Sequence, residues 1–197
     1  MRENRPEFWL IAGPNGVGKT TFAFRRLKAI SGSVNFVNLD EIARGLSPLD
    51  PALAANDAAR IALARARGHI AVGETFALET TLAGHAQLRL AEAARAAGLA
   101  VNLLYFTVPD VETCLARIAR RVAEGGHDVP PDIVRRRFLR SLDMLPAYAA
   151  ASDLWRVYDT RGFRPDLIAE GYRGALAFLD PERLAKAHPL IRAALPA

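Results

Sequence analysis

The chain predicts a three-layer α/β/α fold, a mainly parallel five-stranded sheet with helices on both faces. Two observations carry that prediction. Short apolar, strand-like runs alternate with helix-period segments, the order that parallel strands joined by helical crossovers leave in a sequence. The first of those runs feeds Gly13-Pro14-Asn15-Gly16-Val17-Gly18-Lys19-Thr20, which fits G-x-x-x-x-G-K-[ST] at every fixed position and is read as a P-loop.

Each element has its own signal. Phe8–Ala12 is an apolar strand entering the P-loop, and Thr21–Ile30 is the helix leaving it. Asn35–Leu39 is a second strand, ending at Asp40. An alanine-rich helix spans about 51–71, broken by Gly68 and stopped by Gly73. Thr75–Glu79 is a third strand, and a second alanine-rich helix covers 84–97 with Gly98 as its C-terminal stop. Val101–Val108 has the strongest strand character. Asp110 then caps a helix to about Glu124, and Asp132 caps another to about Leu145. Leu154–Tyr158 is the fifth strand, and residues 171–197 read as a helical surface tail. The length, 197 residues, suits one domain.

Composition narrows the class. A hydrophobic share of 51% and a charged share of 24% are those of a soluble globular chain. No apolar run approaches the ~18 residues that cross a membrane. The charged N-terminus lacks a signal-peptide core, and a single cysteine, Cys114, excludes an internal disulfide. These features point to the cytoplasm, with Cys114 as core packing.

The P-loop specifies chemistry. Its glycines let successive N–H groups turn inward and, with the following helix N-terminus, form an anion site for the phosphates of ATP. Gly13 to Thr21 form that cradle, Lys19 reaches the β- and γ-phosphates, and the Thr20 hydroxyl ligates Mg2+. The chain has only three lysines, Lys19, Lys28 and Lys186, so Lys19 is not a by-product of lysine-rich composition. Ligands of such sheets bind beyond the carboxyl ends of the strands, which places Asp40 and Glu79 at the rim with the P-loop. Asp40 can take a proton from a hydroxyl or cap the helix that follows; Glu79 can hold a hydroxyl. Arg44, Thr80 and Thr81 accompany them.

Net charge is +5, and seven arginines against three acids fall between Arg117 and Arg140. Arg117 and Arg121 share a helix face, as do Arg136 and Arg140 beyond the loop Gly125-Gly126-His127-Asp128-Val129-Pro130-Pro131. This reads as a lid over about 117–140 that closes positive charge on a triphosphate. Basic residues interleaved with aromatics, the pattern that stacks bases, are absent here, which disfavours nucleic acid. His127 reads as a loop histidine bonded to nearby backbone. A motor ATPase needs an apolar strand ending in Asp-Glu, whereas Val101–Val108 runs into Pro109-Asp110.

Taken in order, Ile-Ala-Gly-Pro-Asn-Gly-Val-Gly-Lys-Thr-Thr-Phe, Phe-Val-Asn-Leu-Asp-Glu-Ile-Ala-Arg-Gly-Leu-Ser-Pro, Phe-Ala-Leu-Glu-Thr-Thr-Leu-Ala-Gly, Gly-Gly-His-Asp-Val-Pro with Arg135-Arg136-Arg137-Phe138, and Trp-Arg-Val-Tyr-Asp resemble the zeta toxin family of P-loop kinases over about 8–164, in a compact form. The resemblance implies a fold like that of nucleoside-monophosphate kinases and transfer of the ATP γ-phosphate to a hydroxyl of UDP-N-acetylglucosamine. It makes Asp40 the base, Glu79 the substrate-binding glutamate, and Arg121 with Arg135 or Arg137 the lid arginines. It also raises an antitoxin protein as a partner. A kinase of another nucleotide, nucleoside or antibiotic fits the same residues.

Overall fold

A computed structural model describes residues 5–32, 35–126 and 128–195. Five strands form the parallel body of the sheet: β1 (Glu7–Ala12), β2 (Phe36–Val37), β3 (Phe76–Thr80), β4 (Ala100–Thr107) and β5 (Leu154–Asp159). Two more, β6 (Asp166–Tyr172) and β7 (Ala175–Leu179), run antiparallel, so the sheet has seven strands in the order β2-β3-β1-β4-β5-β6-β7. The five expected strands are the parallel ones.

The helices are α1 (Lys19–Ser31), α2 (Leu39–Leu46), α3 (Ala55–Val72), α4 (Ala86–Ala96), α5 (Val111–Ala123), α6 (Pro131–Ala151), α7 (Pro181–Lys186) and α8 (Pro189–Ala194). α3, α4 and α6 pack side by side in one layer. The chain leaves β1 toward β2 but returns from β3 across β1 to β4, so right-handed crossovers set α1 on the opposite face from α4. The middle strands are therefore covered on both sides. Leu10, Ile11, Phe76, Val101, Leu103 and Phe106 are almost wholly buried, and these strands read as unbroken apolar runs rather than alternating ones. Ala58, Ala62 and Ala66 give α3 a stripe of small buried residues.

Several boundaries depart from the sequence reading. β2 is only two residues long, and Asp40 lies in the first turn of α2, not at a strand end. The cap of α2 is Asn38, whose Oδ1 accepts from the amides of Asp40 (2.9 Å) and Glu41 (3.2 Å). α3 runs unbroken through Gly68, which is exposed and costs the helix only about 1 kcal/mol. Asp132 sits in the first turn of α6 rather than at its cap, since the helix opens at Pro131, and α6 continues past Pro146 to Ala151.

The tail expected to be helical begins instead with the β6–β7 hairpin. Its two-residue turn, Arg173 and Gly174, has both φ values positive (49° and 80°), the geometry that matches strand twist. The hairpin docks at Gly171. A β-carbon there would lie 2.2 Å from both the Ala175 carbonyl oxygen and the Trp155 ring. Gly171→Ala is therefore expected to destabilise the chain by about 2 kcal/mol, the scale of an overpacked core, measured by chemical denaturation.

Candidate active site

The site lies where β1, β2 and β3 end. Gly13 has φ 137° and its missing β-carbon would fall 2.1 Å from the Phe106 carbonyl oxygen of β4. Gly16 (φ 84°) approaches the Cys114 carbonyl of α5 in the same way, at 2.7 Å. The loop is thus pressed against two neighbouring elements, while Gly18 (φ 91°) faces open space and needs glycine only for its backbone. Gly18 is also the cap position of α1, with no side chain in the way of the helix N-terminus.

Lys19 is 5% exposed, and its Nζ donates to the Pro14 carbonyl at 2.8 Å. Burial holds its ammonium below the ordinary lysine value, against the attraction of Glu79 and Asp40. Thr20 Oγ1 sits 2.9 Å from both Glu79 carboxylate oxygens. Asn38 Nδ2 donates to Glu79 Oε2 at 2.9 Å. Burial pushes the Glu79 carboxyl up; Lys19 and the Thr20 hydrogen bond oppose this, and Asp40 and Glu41 add to it.

Two adjoining cavities open here. The first, about 370 Å³, is lined by the P-loop, Thr20, Thr21, Glu41, Arg44, Arg117, Arg121 and Gly126. The second, about 300 Å³, is lined by Leu39, Thr80, Thr81, Ala83, Gly84, Gln87 and Arg137. Asn15, Lys19, Asn38, Asp40 and Glu79 line both. Asp40 is exposed into this shared wall.

Between Thr81 and Ala83, which line the second cavity, the backbone is strained. Leu82 is fully buried with φ 59°, and its amide donates to Thr80 Oγ1 at 3.0 Å. A bulky residue in the left-handed region costs about 1–3 kcal/mol and persists only where surrounding contacts hold it.

The arginines divide. Arg117 lines the first cavity and donates from Nη2 to the Thr160 carbonyl at 2.6 Å, tying α5 to the end of β5. Arg121 reaches the same cavity from one turn further along α5. Arg137 lines the second, with Nη1 3.5 Å from Asn15 Oδ1. Arg135 reaches neither: its guanidinium pairs with Glu112 of α5 on the surface. Arg136 and Arg140 are exposed on α6 and line neither cavity. Arg44 lines the first cavity while paired to Glu41 at 3.0 Å. Gly13, Pro14 and Val17 contribute backbone shape rather than lining, and Val17 is buried in the core.

Cys114 is buried and free, and burial pushes its thiol up to about 12, as suits packing. His127 lies outside the described residues. Asp110, where a motor ATPase would keep a metal-binding acid, is used as the α5 cap, accepting from the Thr113 amide at 2.7 Å. Asn38, Glu41 and Gln87 are polar lining side chains that the motif reading passed over. Asn38 had a signal: Asn38 followed by Glu41 is a helix-start pattern.

Residues 8–145 match the model of a family described as "AAA domain". The chain belongs to this family. The chain is also similar to an uncharacterized protein of Haemophilus influenzae, 34% identical over 138 residues that cover 70% of this chain and 95% of that one. Among solved structures, the fold is similar to that of AvrRxo1-ORF1:-ORF2 with ATP, at a TM-score of 0.70 and 18% identity. The match covers 92% of this chain and spans 63% of the AvrRxo1 chain. It is also similar to the PezAT chromosomal toxin–antitoxin system of Streptococcus pneumoniae, at 0.64 and 16%, covering 86% and 73%. At such identities the likeness is one of fold, a P-loop kinase-like architecture. Among the described residues, no helix is long and apolar enough to cross a membrane.

Two stability predictions follow from this geometry. Gly13→Ala must both strain its backbone and displace Phe106, and is expected to cost about 3 kcal/mol, against about 1 kcal/mol for Gly18→Ala, which only strains; denaturation midpoints compare them. Glu79→Gln is expected to raise the melting temperature at pH 7. The folded carboxyl holds its proton to higher pH than the unfolded one, so stability falls as pH rises above the ordinary value of 4.5. The raised value already includes the attraction of Lys19. The gap between variant and wild type should therefore close as pH is lowered toward 4.5.

Proposed function

We propose that the protein is an ATP-dependent kinase that transfers the γ-phosphate to a hydroxyl of a small molecule, in the manner of the zeta toxin family, with UDP-N-acetylglucosamine as the leading acceptor. The observation that carries this reading is the pair of cavities meeting at one wall. A P-loop cavity with Arg117 and Arg121 suits a triphosphate. The second is lined by Asn15, Thr80, Thr81 and Gln87, with Arg137 and the shared Lys19 as its cations, and by no aromatic ring. That lining suits a polyhydroxylated ligand better than a nucleobase. A plain ATPase has no use for a second cavity sharing Lys19 and Asp40.

In this mechanism the P-loop amides and Lys19 hold the phosphates, and Thr21, Arg44 and Arg117 flank them. Asp40, exposed in the shared wall, accepts the acceptor proton as the hydroxyl oxygen attacks the γ-phosphorus and the bond to the β-phosphate oxygen breaks. Burial of Lys19 strengthens its interaction with the developing charge by excluding water. Arg121 adds charge from above. Thr80 and Arg137 orient the acceptor; Arg135, bonded to Glu112, has no part in the site as it stands.

The residues fit magnesium. Thr20 donates its hydroxyl proton to Glu79, leaving its lone pairs for a cation, and an all-oxygen pair suits a hard ion that arrives with phosphates. Thr20, with Glu79 behind it, would hold such an ion, whose chemistry would be neutralisation of phosphate charge. Glu79 is thereby a holder of the Thr20 hydroxyl as well as an acceptor-side carboxylate.

α6 buries Val134, Phe138, Ser141, Leu142, Leu145 and Tyr148 in the core. The 117–140 lid of this reading therefore has its α6 part packed on the core, and Arg121 is the cation that it brings to bound ATP. An antitoxin-like partner remains part of the zeta-toxin reading, supported by the fold shared with PezAT.

The test is incubation with Mg·ATP and UDP-N-acetylglucosamine, followed by thin-layer or phosphorus-NMR detection of a phosphorylated sugar nucleotide, with nucleosides, other nucleotides and aminoglycosides in parallel. ATP hydrolysis without a phosphorylated product on any of them would overturn the kinase reading; product only on another acceptor would overturn the sugar-nucleotide assignment. Asp40→Asn is expected to lower transfer by about 100-fold or more while ATP affinity holds. Its thermal stability should stay near wild type, because Asn38 and not Asp40 caps α2. Lys19→Ala should abolish transfer.

A further inference from the structure

We propose that Tyr148 is a positioning residue for the acceptor side of the site, setting the loop Thr80–Gln87 from the far end of α6. The inference rests on the kinase reading for its catalytic consequence, but its structural basis is independent of it.

The loop is held at three points. At its start, the Thr80 carbonyl accepts from the Gly13 amide at 3.2 Å, joining it to the P-loop. In its middle, the Leu82 side chain is fully buried with left-handed backbone. At its end, the Tyr148 hydroxyl donates to the Gly84 carbonyl at 2.6 Å, across 64 residues of sequence. Thr81, Ala83 and Gly84, which lie between and at these points, line the second cavity. A strained conformation such as that of Leu82 needs to be over-determined by its surroundings. The Tyr148 bond is the one hydrogen bond that reaches the distal end of the strained stretch from outside the loop among those described.

The same helix touches the cavity a second time. Arg137 and Tyr148 are eleven residues apart, three turns, so they lie on one face of α6 about 16 Å apart. Arg137 meets Asn15 of the P-loop at one end of that face, and Tyr148 meets Gly84 at the other. Between them, Ser141 Oγ is bonded to the buried Tyr105 hydroxyl of β4 at 3.0 Å. α6 thus runs from the phosphate loop to the acceptor loop, with Tyr148 holding the acceptor end. Tyr148 is fully buried, and its ring would pack equally well as phenylalanine; its hydroxyl donates to the Gly84 carbonyl, and the Leu88 backbone at the start of α4 is bonded to it as well.

The experiment compares Tyr148→Phe with Ser141→Ala, which cuts a buried hydrogen bond of the same helix without touching the acceptor loop. Two readouts are taken on the full chain: backbone hydrogen exchange of residues 81–87, and KM values for ATP and for UDP-N-acetylglucosamine. Tyr148→Phe should speed exchange in 81–87 about tenfold, the effect of one lost hydrogen bond, and raise the acceptor KM by a similar factor with the ATP KM unchanged. Ser141→Ala should lower the melting temperature and move neither readout. Unchanged exchange at 81–87 in Tyr148→Phe, or equal rises in both KM values in both variants, would overturn the proposal. Absence of any phosphorylated product from wild type would instead overturn the kinase reading, and exchange alone would then decide the role of Tyr148.

Discussion

The Glu79 carboxylate is the point on which the site depends. It receives the Thr20 hydroxyl from the first turn of α1 and the Asn38 amide from the start of α2, and it faces the buried Lys19. Two segments that are far apart in sequence, the starts of α1 and α2, are thereby fixed to the end of β3. The arrangement is costly, since burial opposes the charge on both Glu79 and Lys19. Mutual attraction and hydrogen bonds offset that cost only in part, as is usual for buried ion pairs. A site kept in this condition is one whose charges are arranged for something other than stability.

Much of the fold was legible because its signals are local. Parallel strands buried on both faces announce themselves as apolar runs, and all five were found that way. The P-loop was legible because strand, loop and helix are contiguous. The hairpin of β6 and β7 was not, because its turn residues Arg173 and Gly174 lack the usual Asn-Gly or Asp-Gly chemistry, β6 mixes polar and apolar residues, and β7 is a short apolar run left half-exposed at the edge. Asp40 was misplaced because Leu39 extends the apolar run past the true end of β2; Asn38, the residue that caps the helix, was the informative one.

Within the site, spacing gave helix faces but not what those faces meet. Arg117 and Arg121 share a face and do line one cavity. Arg135 and Arg137 differ by two positions, so one points to the P-loop and the other to Glu112 across the surface. No local pattern distinguishes them. Nor does sequence show that α6 is docked along its buried face. The contacts that join distant segments, Arg117 with Thr160 and Tyr148 with Gly84, are tertiary facts.

The two adjacent glycines that follow α5 exist for different reasons. Gly125 has φ 83° and open space around it, so its backbone needs the freedom. Gly126 does not have that backbone; a β-carbon there would lie 2.5 Å from Arg121 Cγ and 2.9 Å from the Arg121 carbonyl oxygen, and its amide donates to that carbonyl at 2.8 Å. Gly126 is a seat into which the stem of Arg121 fits. The direction in which Arg121 points is therefore written partly in a residue that carries no charge and no side chain. Among relatives, a change at 126 and a change at 121 should be expected to travel together, whereas 125 is free to vary among residues that tolerate a left-handed backbone.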